Sequence, residues 1–174
     1  MAVEDTEFPP TAPVSTTEFR RVVGNFATGI AIAATTDRGI DHAMTVSAFT
    51  SVSLDPLLVL ICVEKTARFH QAVSNSGAWA LSILAEDAEA TSRWFAEKGR
   101  PTQAQFAGFP RYPGPATGMP VLDGAIAVVE CRTWSWHDGG DHDILLGSVV
   151  GVWAAEPPRG PLLYLRGSYR RLAD

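Results

Sequence analysis

Three stretches of the sequence combine residue types that could do chemistry. The first runs from Ala43 to Pro56 and places hydroxyl side chains among small apolar residues, with no charge between Asp41 and Asp55. The hydroxyls belong to Thr45, Ser47, Thr50, Ser51 and Ser53. Hydroxyls and backbone amides beside small side chains suit a flat, neutral ligand with many hydrogen-bond acceptors. The alternative is an edge strand with a Ser/Thr-rich connection, because hydroxyl side chains are common in loops.

The second stretch is Lys65-Thr66-Ala67-Arg68, which could bind phosphate. Thr66 is a candidate N-cap for a following helix, and a helix N-terminus offers free N–H groups and the positive end of the helix dipole. Lys65 and Arg68 add positive charge. The alternative is a plain helix cap whose two cations are solvated.

The third stretch, His137–Asp143, holds two histidines and three aspartates within seven residues. A zinc or iron site would need four of these side chains to converge. In a tight hairpin alternate residues point to opposite faces, so such convergence is not expected. The alternative to a metal site is a turn whose polar side chains are solvated, and we predict no metal ligand in this stretch.

Strands outnumber helices among the elements that must position these residues. The capping box Ser15-Thr16-Thr17-Glu18 starts a helix that should end near Asn25, and Asp37-Arg38-Gly39 is a turn between two strands. The other predicted strands cover 57–63, 79–84, 125–136, 143–155, 162–165 and 169–172. The run 57–63 is apolar without alternation, which predicts a strand covered on both faces.

The hydroxyl stretch is expected to begin as a strand and to continue as a loop lined by hydroxyls. A new strand should begin after Asp55-Pro56. A helix that begins at Thr66 should end at Asn75-Ser76-Gly77, and Asp87 should cap a helix that carries Trp94 and Phe95. The segment 98–119 is too rich in glycine and proline for regular structure, and such a loop is usually a lid or a contact surface. Short connections between many strands indicate a mainly β, closed antiparallel barrel with a few flanking helices.

Composition excludes several classes of protein. The 174 residues correspond to one domain, and the net charge of −5 without a basic run argues against nucleic acid. No apolar run reaches the roughly 18 residues of a membrane helix. The N-terminus is acidic and Pro-rich, unlike a signal peptide, and residues 1–14 are expected to form a flexible arm. Cys62 and Cys131 indicate buried free thiols of a cytoplasmic protein, with a disulfide between them as the alternative.

Two common catalytic signatures are missing. No G-x-G-x-x-G follows a predicted strand, so a nicotinamide dinucleotide would have to bind without the Rossmann fingerprint. No G-x-S-x-G is present either, which leaves a serine hydrolase unsupported.

Several ordered motifs resemble the short-chain flavin reductases, the reductase components of two-component flavin monooxygenases. They comprise Phe26-Ala27-Thr28-Gly29-Ile30, Thr45-Val46-Ser47-Ala48 with Ser51-Val52-Ser53 and Asp55-Pro56, Glu64-Lys65-Thr66, Gly140-Asp141-His142, and the closing Leu163-Tyr164-Leu165-Arg166-Gly167-Ser168-Tyr169. The resemblance runs from about Phe19 to Leu172. It implies an FMN-binding split barrel, a Greek-key antiparallel barrel, over residues 15–174, which pairs as a homodimer with a shared site. The loop 98–119 and the N-terminal arm are the candidate surfaces for that pairing.

The resemblance also implies the roles of individual residues. His142 would lie against the nicotinamide dinucleotide and is the candidate catalytic residue. The flavin contacts it implies are Thr45, Val46, Ser47 and Ala48 at the isoalloxazine ring, Ser51 and Val52 near the ribityl chain, Cys62 and Val63 behind the same site, Lys65, Thr66, Ala67 and Arg68 around the phosphate, and Tyr164 and Tyr169.

The activity implied is hydride transfer from NADH or NADPH to N5 of FMN or FAD, with the reduced flavin supplied to a partner monooxygenase. Two alternatives remain open. One is a flavin-binding protein of the same fold that acts as an electron carrier or an oxidase and not as a free-flavin reductase. The other is a metal-dependent enzyme that uses the His137–Asp143 cluster.

Overall fold

The computed structural model of the protein describes residues 13–172, with three helices and twelve strands in that range. The helices are α1 (Thr16–Val23), α2 (Arg68–Ser76) and α3 (Glu89–Ala96). The strands are β1 (Thr28–Gly29), β2 (Ala31–Asp37), β3 (Ile40–Val46), β4 (Phe49–Leu54), β5 (Leu57–Glu64), β6 (Ala78–Ile83), β7 (Arg111–Pro113), β8 (Pro120–Leu122), β9 (Ala127–Gly139), β10 (His142–Ala154), β11 (Leu163–Leu165) and β12 (Ser168–Arg170).

Seven strands form the main sheet, in the order β3-β2-β6-β9-β10-β5-β4. Strands β1, β11 and β12 form a second sheet, and β7 pairs with β8. Every pairing between these described strands is antiparallel. The prediction of a mainly β, antiparallel protein is therefore confirmed.

The long β9–β10 hairpin reaches from the core to the third predicted stretch. The strands are 13 residues each, and Gly140-Asp141 makes the turn between them. Gly140 has a φ of 85°, a backbone conformation that a residue without a Cβ adopts freely. Beyond the turn, His142 pairs with Glu64 of β5, so the hairpin tip lies beside the start of the second predicted stretch.

Two helices pack on the sheet and close its core. Helix α2 buries Phe69 and Val73 beside the fully buried Trp79 of β6. Helix α3 buries Phe95 in a second cluster that contains Ile32. Each side chain of this kind contributes about 1.5–3 kcal/mol when it is fully buried. Helix α1 differs, because none of its side chains is buried against the rest of residues 13–172.

Local signals in the sequence predicted several boundaries correctly. The Ser15 hydroxyl accepts a hydrogen bond from the backbone N–H of Glu18 at 3.1 Å, which is one half of the predicted capping box. The predicted turn joins β2 to β3, and Gly77 ends α2 in the left-handed conformation with a φ of 68°. The hairpin over 125–155 is confirmed as β9 and β10.

The other two predicted side-chain caps, at Thr66 and Asp87, are wrong. Helix α2 begins one residue later than expected, with Ala67 at the N-cap, so the Thr66 hydroxyl donates instead to Glu64 Oε1 at 2.7 Å. Helix α3 has Ala88 at its N-cap. The Asp87 carboxylate accepts from Arg159 Nη2 at 3.0 Å, and this long-range ion pair takes the place of the cap.

Two predictions about the strands around Asp55-Pro56 are also wrong. The hydroxyl stretch is not an extended loop, because β4 (Phe49–Leu54) pairs with β5 and leaves only Ser47-Ala48 between β3 and β4. Strand β5 is not covered on both faces. Its burial alternates, with Val59, Ile61 and Val63 buried and the residues between them partly exposed. Within one chain, the second face of β5 therefore lacks a full cover.

Cys62 and Cys131 are free thiols, as predicted, so the alternative of a disulfide is excluded, but only Cys131 is buried and Cys62 is partly exposed. Burial raises the pKa of the Cys131 thiol to about 12, which keeps it protonated at neutral pH. No helix within residues 13–172 is long and apolar enough to cross a membrane. The predicted arm over 1–14 lies almost entirely outside the described residues.

Candidate active site

Two cavities adjoin at the C-terminal end of β3. The larger has a volume of about 860 Å³, and its walls include Val46, Ser47, Ala48 and Tyr164. The smaller has a volume of about 600 Å³, and its walls include Thr45, Thr66, Ala67, Arg68 and His142. The border between them crosses the end of β3, because His42 to Thr45 line the smaller cavity and Val46 lines the larger one. The structure thus divides the predicted flavin residues between two cavities.

The larger cavity is mostly apolar. Phe26, Phe49 and Leu60 lie in its walls, together with the guanidinium-bearing residues Arg20 and Arg166. Leu60 belongs to the partly exposed face of β5, and part of this face is exposed because it borders the larger cavity. The Arg166 Nε donates to Asn25 Oδ1 at 2.8 Å, which ties the turn before β12 to the end of α1.

The smaller cavity is rich in cations. Arg68, Lys98 and Arg100 line it, and only Glu64 and Glu97 oppose them. Arg68 donates to Thr102 Oγ1 at 2.5 Å and to the Arg100 carbonyl at 2.7 Å, two of the five N–H donors that a guanidinium carries. An excess of positive charge with unused donors suits phosphate groups.

His142 lies at the mouth of the smaller cavity on the first residue of β10. Its side chain is 43% exposed, and Nδ1 lies 2.8 Å from Asp141 Oδ1. This hydrogen bond lowers the pKa of the Asp141 carboxyl. A half-exposed imidazole beside a cationic cavity can pack against a planar or anionic ligand that enters from solvent.

His42 also lines the smaller cavity, although its sequence context indicates only a structural or solvated residue. Burial lowers the pKa of its imidazole, which favours the neutral ring. Its Nδ1 is buried and has no hydrogen-bond partner among residues 13–172.

The polar side chains of His137–Asp143 make hydrogen bonds and ion pairs with other protein side chains. His137 Nε2 lies 3.0 Å from Ser135 Oγ, and Lys65 donates to Asp138. The pair with Asp138 raises the pKa of Lys65. Within residues 13–172, no three His, Cys, Asp or Glu side chains are placed to hold a metal ion. The metal alternative therefore gains no support from the geometry.

Six of the predicted site residues lie outside the two cavities. Ser51 and Val52 are exposed on the edge strand β4, and Tyr169 packs under Arg93, whose Cζ is 4.8 Å from the ring centroid. Val63 is fully buried in the core. The Cys62 N–H donates to the Ala48 carbonyl at 3.2 Å, so β5 supports the wall of the larger cavity from behind. Lys65 is turned toward Asp138 and Asp143.

Several lining residues were not among the predicted ones. Arg20, Arg166 and Phe26 line the larger cavity, and Lys98, Arg100 and Gln105 line the smaller one. The segment Phe26–Ile30 was part of the resemblance, which was the available signal for the larger cavity. The loop 98–119 was expected to be a lid or contact surface, but nothing in its composition distinguished Arg100 from its neighbours.

Comparison with known proteins identifies the family. Residues 23–173 match the flavin reductase like domain. The chain belongs to this family of flavin reductase-like proteins. An NADH-dependent FAD reductase of Streptomyces globisporus is 38% identical over 164 residues, which cover 92% of this chain and 88% of the relative. The flavin-dependent monooxygenase reductase subunit HsaB of Rhodococcus jostii is 38% identical and covers 87% of this chain and 75% of its own.

Solved structures of flavin reductase-like proteins share the fold along nearly the whole chain. The NADH:FAD oxidoreductase SgcE6 of Streptomyces globisporus C-1027, solved in complex with NAD and FAD fragments, superposes with a TM-score of 0.87. The match covers 95% of this chain and 98% of that structure, at 36% identity.

Proposed function

We propose that the protein is an NAD(P)H:flavin oxidoreductase that reduces FMN or FAD and supplies the reduced flavin to a partner monooxygenase. One observation carries the proposal: His142 of the Gly-Asp-His motif lines the smaller cavity together with Thr45, Thr66 and Arg68. These residues come from three distant parts of the chain. The names of the relatives, an FAD reductase and a monooxygenase reductase subunit, support the same activity.

The residues of both cavities fit a flavin. Both volumes lie within the range of about 300–1,000 Å³ that small-molecule sites occupy. The apolar wall formed by Val46, Ala48 and Tyr164 suits a flat ring, with the Ser47 and Thr50 hydroxyls beside it. The cations of the smaller cavity suit the phosphate of FMN or the pyrophosphate of FAD.

The bound flavin would accept at N5 the hydride that the nicotinamide C4 releases. The chain supplies binding and orientation. Thr45 donates its hydroxyl proton to the Ser92 carbonyl at 2.7 Å, so the lone pairs of its oxygen are left to accept from a ligand N–H. We assign ring contacts to Thr45–Ala48 and phosphate contacts to Thr66, Ala67 and Arg68. Cys62 and Val63 support this wall from behind.

The other predicted flavin contacts, apart from Tyr164, lie outside the two cavities of the single chain. They could reach a flavin only through a second subunit or a rearranged side chain. Ser51 and Val52 are exposed on β4, and we propose that they reach the ribityl chain at a subunit boundary. Tyr164 lines the larger cavity directly, while Tyr169 contacts the Tyr164 ring at a centroid distance of 5.2 Å and supports it. Lys65 remains a candidate phosphate contact only if its ion pairs open.

We also propose a specific barrel type for the fold and a specific oligomeric state. The seven-stranded antiparallel order supports an FMN-binding split barrel over residues 15–174, preceded by an arm over 1–14. Large apolar side chains exposed in the single chain support a homodimer, because monomers rarely expose so many. They include Phe19, Val22 and Phe26 of the α1 region, Leu54 and Leu57 at the β4–β5 turn, and Val152 and Trp153 of β10. The free thiols of Cys62 and Cys131 support a cytoplasmic location.

The activity is tested by steady-state oxidation of NADH and NADPH with FMN, FAD or riboflavin added to the purified protein. We expect rapid nicotinamide oxidation that depends on added flavin. Absence of flavin-dependent turnover with either nicotinamide would reject the proposed function. Turnover that needs no added flavin would favour the electron carrier or oxidase with a retained flavin.

The assembly is tested by sedimentation. We expect a stable dimer at micromolar protein, because the exposed apolar side chains of α1, β5 and β10 would be buried between two copies. A monomer that sediments as a single species and retains full activity would contradict the shared site.

A further inference from the structure

Asp143 is the centre of an ion-pair cluster that the proposed function does not use. It follows His142 in β10, and its side chain is only 19% exposed. Asp143 Oδ2 lies 2.7 Å from Nε2 of His70 on α2, and Oδ1 lies 3.6 Å from Nζ of Lys65. Lys65 also donates to Asp138 of β9. The four residues His70, Lys65, Asp138 and Asp143 are named here the hairpin cluster.

Backbone and aromatic contacts join the same elements. The Lys65 N–H donates to the Asp141 carbonyl at 3.1 Å, which holds the turn of the hairpin to the segment before α2. The His70 ring centroid lies 4.9 Å from that of Trp136 on β9. A two-residue turn at the end of a long hairpin is otherwise an exposed loop tip, where order is lowest. The backbone of His142 and Asp143 pairs with β9 and β5, and the cluster adds side-chain contacts that hold the hairpin tip to α2.

The alternation of β10 separates the cluster from the cavity. Consecutive side chains of a strand point to opposite faces, so His142 faces the smaller cavity while Asp143 faces His70 and Lys65. We propose that Asp143 is a positioning residue, and that the hairpin cluster sets the affinity for the nicotinamide dinucleotide by fixing His142 at the mouth of the smaller cavity. This inference rests on the proposed function of that cavity.

Charge alone predicts the opposite effect from positioning. A nicotinamide dinucleotide is an anion, so removal of a nearby carboxylate would by Coulomb's law strengthen its binding. If Asp143 acts through the placement of His142, its removal weakens binding. The sign of the change therefore separates the two explanations.

The kinetic test uses Asp143→Asn, which keeps the size of the side chain and removes its charge. At saturating flavin, we expect the KM for NADH to rise about fivefold with kcat within about twofold of the wild type, since ground-state binding alone is lost. In a His142→Ala background the same substitution should change the KM less than about twofold, because residues that act through one another are not additive. The control is Asp87→Asn, which breaks the ion pair with Arg159 and should change neither parameter. An unchanged or lower KM, or an equal rise in both backgrounds, would overturn the proposal.

A second measurement is independent of activity. Hydrogen exchange is followed in the ligand-free wild type, Asp143→Asn and Asp87→Asn. We expect the Lys65 amide and residues 137–143 to exchange about tenfold faster in Asp143→Asn only, because local opening of the hairpin becomes easier. Unchanged exchange in that variant overturns the positioning role. Failure of the proposed function would appear differently, as absent NADH oxidation in the wild type itself.

Discussion

Replacement of His142 by alanine is expected to raise the KM for the nicotinamide substrate about tenfold, which corresponds to roughly 1.4 kcal/mol of lost binding. The imidazole lies at the mouth of the smaller cavity and is 43% exposed, so it can contact a ligand that enters from solvent. The affinity for flavin should change little, because the side chain is proposed to face the dinucleotide. Steady-state kinetics with varied NADH and a separate flavin titration measure the two effects.

The matched control is His137→Ala in the same hairpin. His137 pairs with Ser135 and lies outside both cavities, so its loss should leave the KM for NADH unchanged. If His142→Ala weakens flavin and nicotinamide equally, His142 belongs to the flavin site. If His137→Ala has the larger effect on the KM for NADH, the assignment of the nicotinamide contact to His142 is wrong.

Replacement of Arg100 by methionine is expected to lower the free energy of unfolding by about 3 kcal/mol, because each buried acceptor left unpaired costs about 1–3 kcal/mol. Arg100 is 8% exposed. Its Nη1 lies 3.0 Å from the Trp94 carbonyl and 2.7 Å from the Phe95 carbonyl at the end of α3, and Nη2 donates to the Ala43 carbonyl of β3 at 2.8 Å. The guanidinium thus supplies donors both to the last turn of a helix and to the edge of the sheet.

The measurement is thermal unfolding, where the expected loss corresponds to a fall in Tm of roughly 6–12 °C for a domain of this size. The control is Arg21→Met on α1, whose guanidinium is exposed and lies 3.8 Å from Glu18, and which should lower stability by less than about 0.5 kcal/mol. Because Arg100 also lines the smaller cavity, flavin affinity should fall in the folded variant. A Tm unchanged in Arg100→Met would contradict this account of the loop.

Much of the fold follows from local signals. The Ser15 capping box, the Arg38-Gly39 turn, Gly77 at the end of α2 and the β9–β10 hairpin all depend on residues within a few positions of one another. Backbone conformation and side-chain capping act over that distance, so the sequence is sufficient to predict them. The family membership was also predictable, because its motifs are short segments in a constant order.

Other predictions failed where a side chain had a different partner or position. Helix α2 has Ala67 at its N-cap, so Thr66 lies one residue too early, and its hydroxyl donates to the nearby Glu64. Asp87 does not cap α3, and its carboxylate accepts from Arg159, which is distant in the chain. Strand β4 forms because β5 offers a partner for its N–H and C=O groups. A local capping preference is worth about 1 kcal/mol, which one other contact can outweigh.

The sequence by itself determined the residue types of the site: hydroxyls before Asp55, cations after Glu64 and a histidine in a hairpin turn. Only the tertiary structure decided how these residues are divided between two cavities, with Thr45 in the wall of the smaller and Val46 in the wall of the larger. The tertiary structure also decided that Lys65 pairs with Asp138 and Asp143, and that Arg100 donates a hydrogen bond to the Ala43 carbonyl. The physical reason is that Asp138 and Asp143 are distant from Lys65 in the chain, as Ala43 is from Arg100, so only the long-range pairing of strands and loops brings them together.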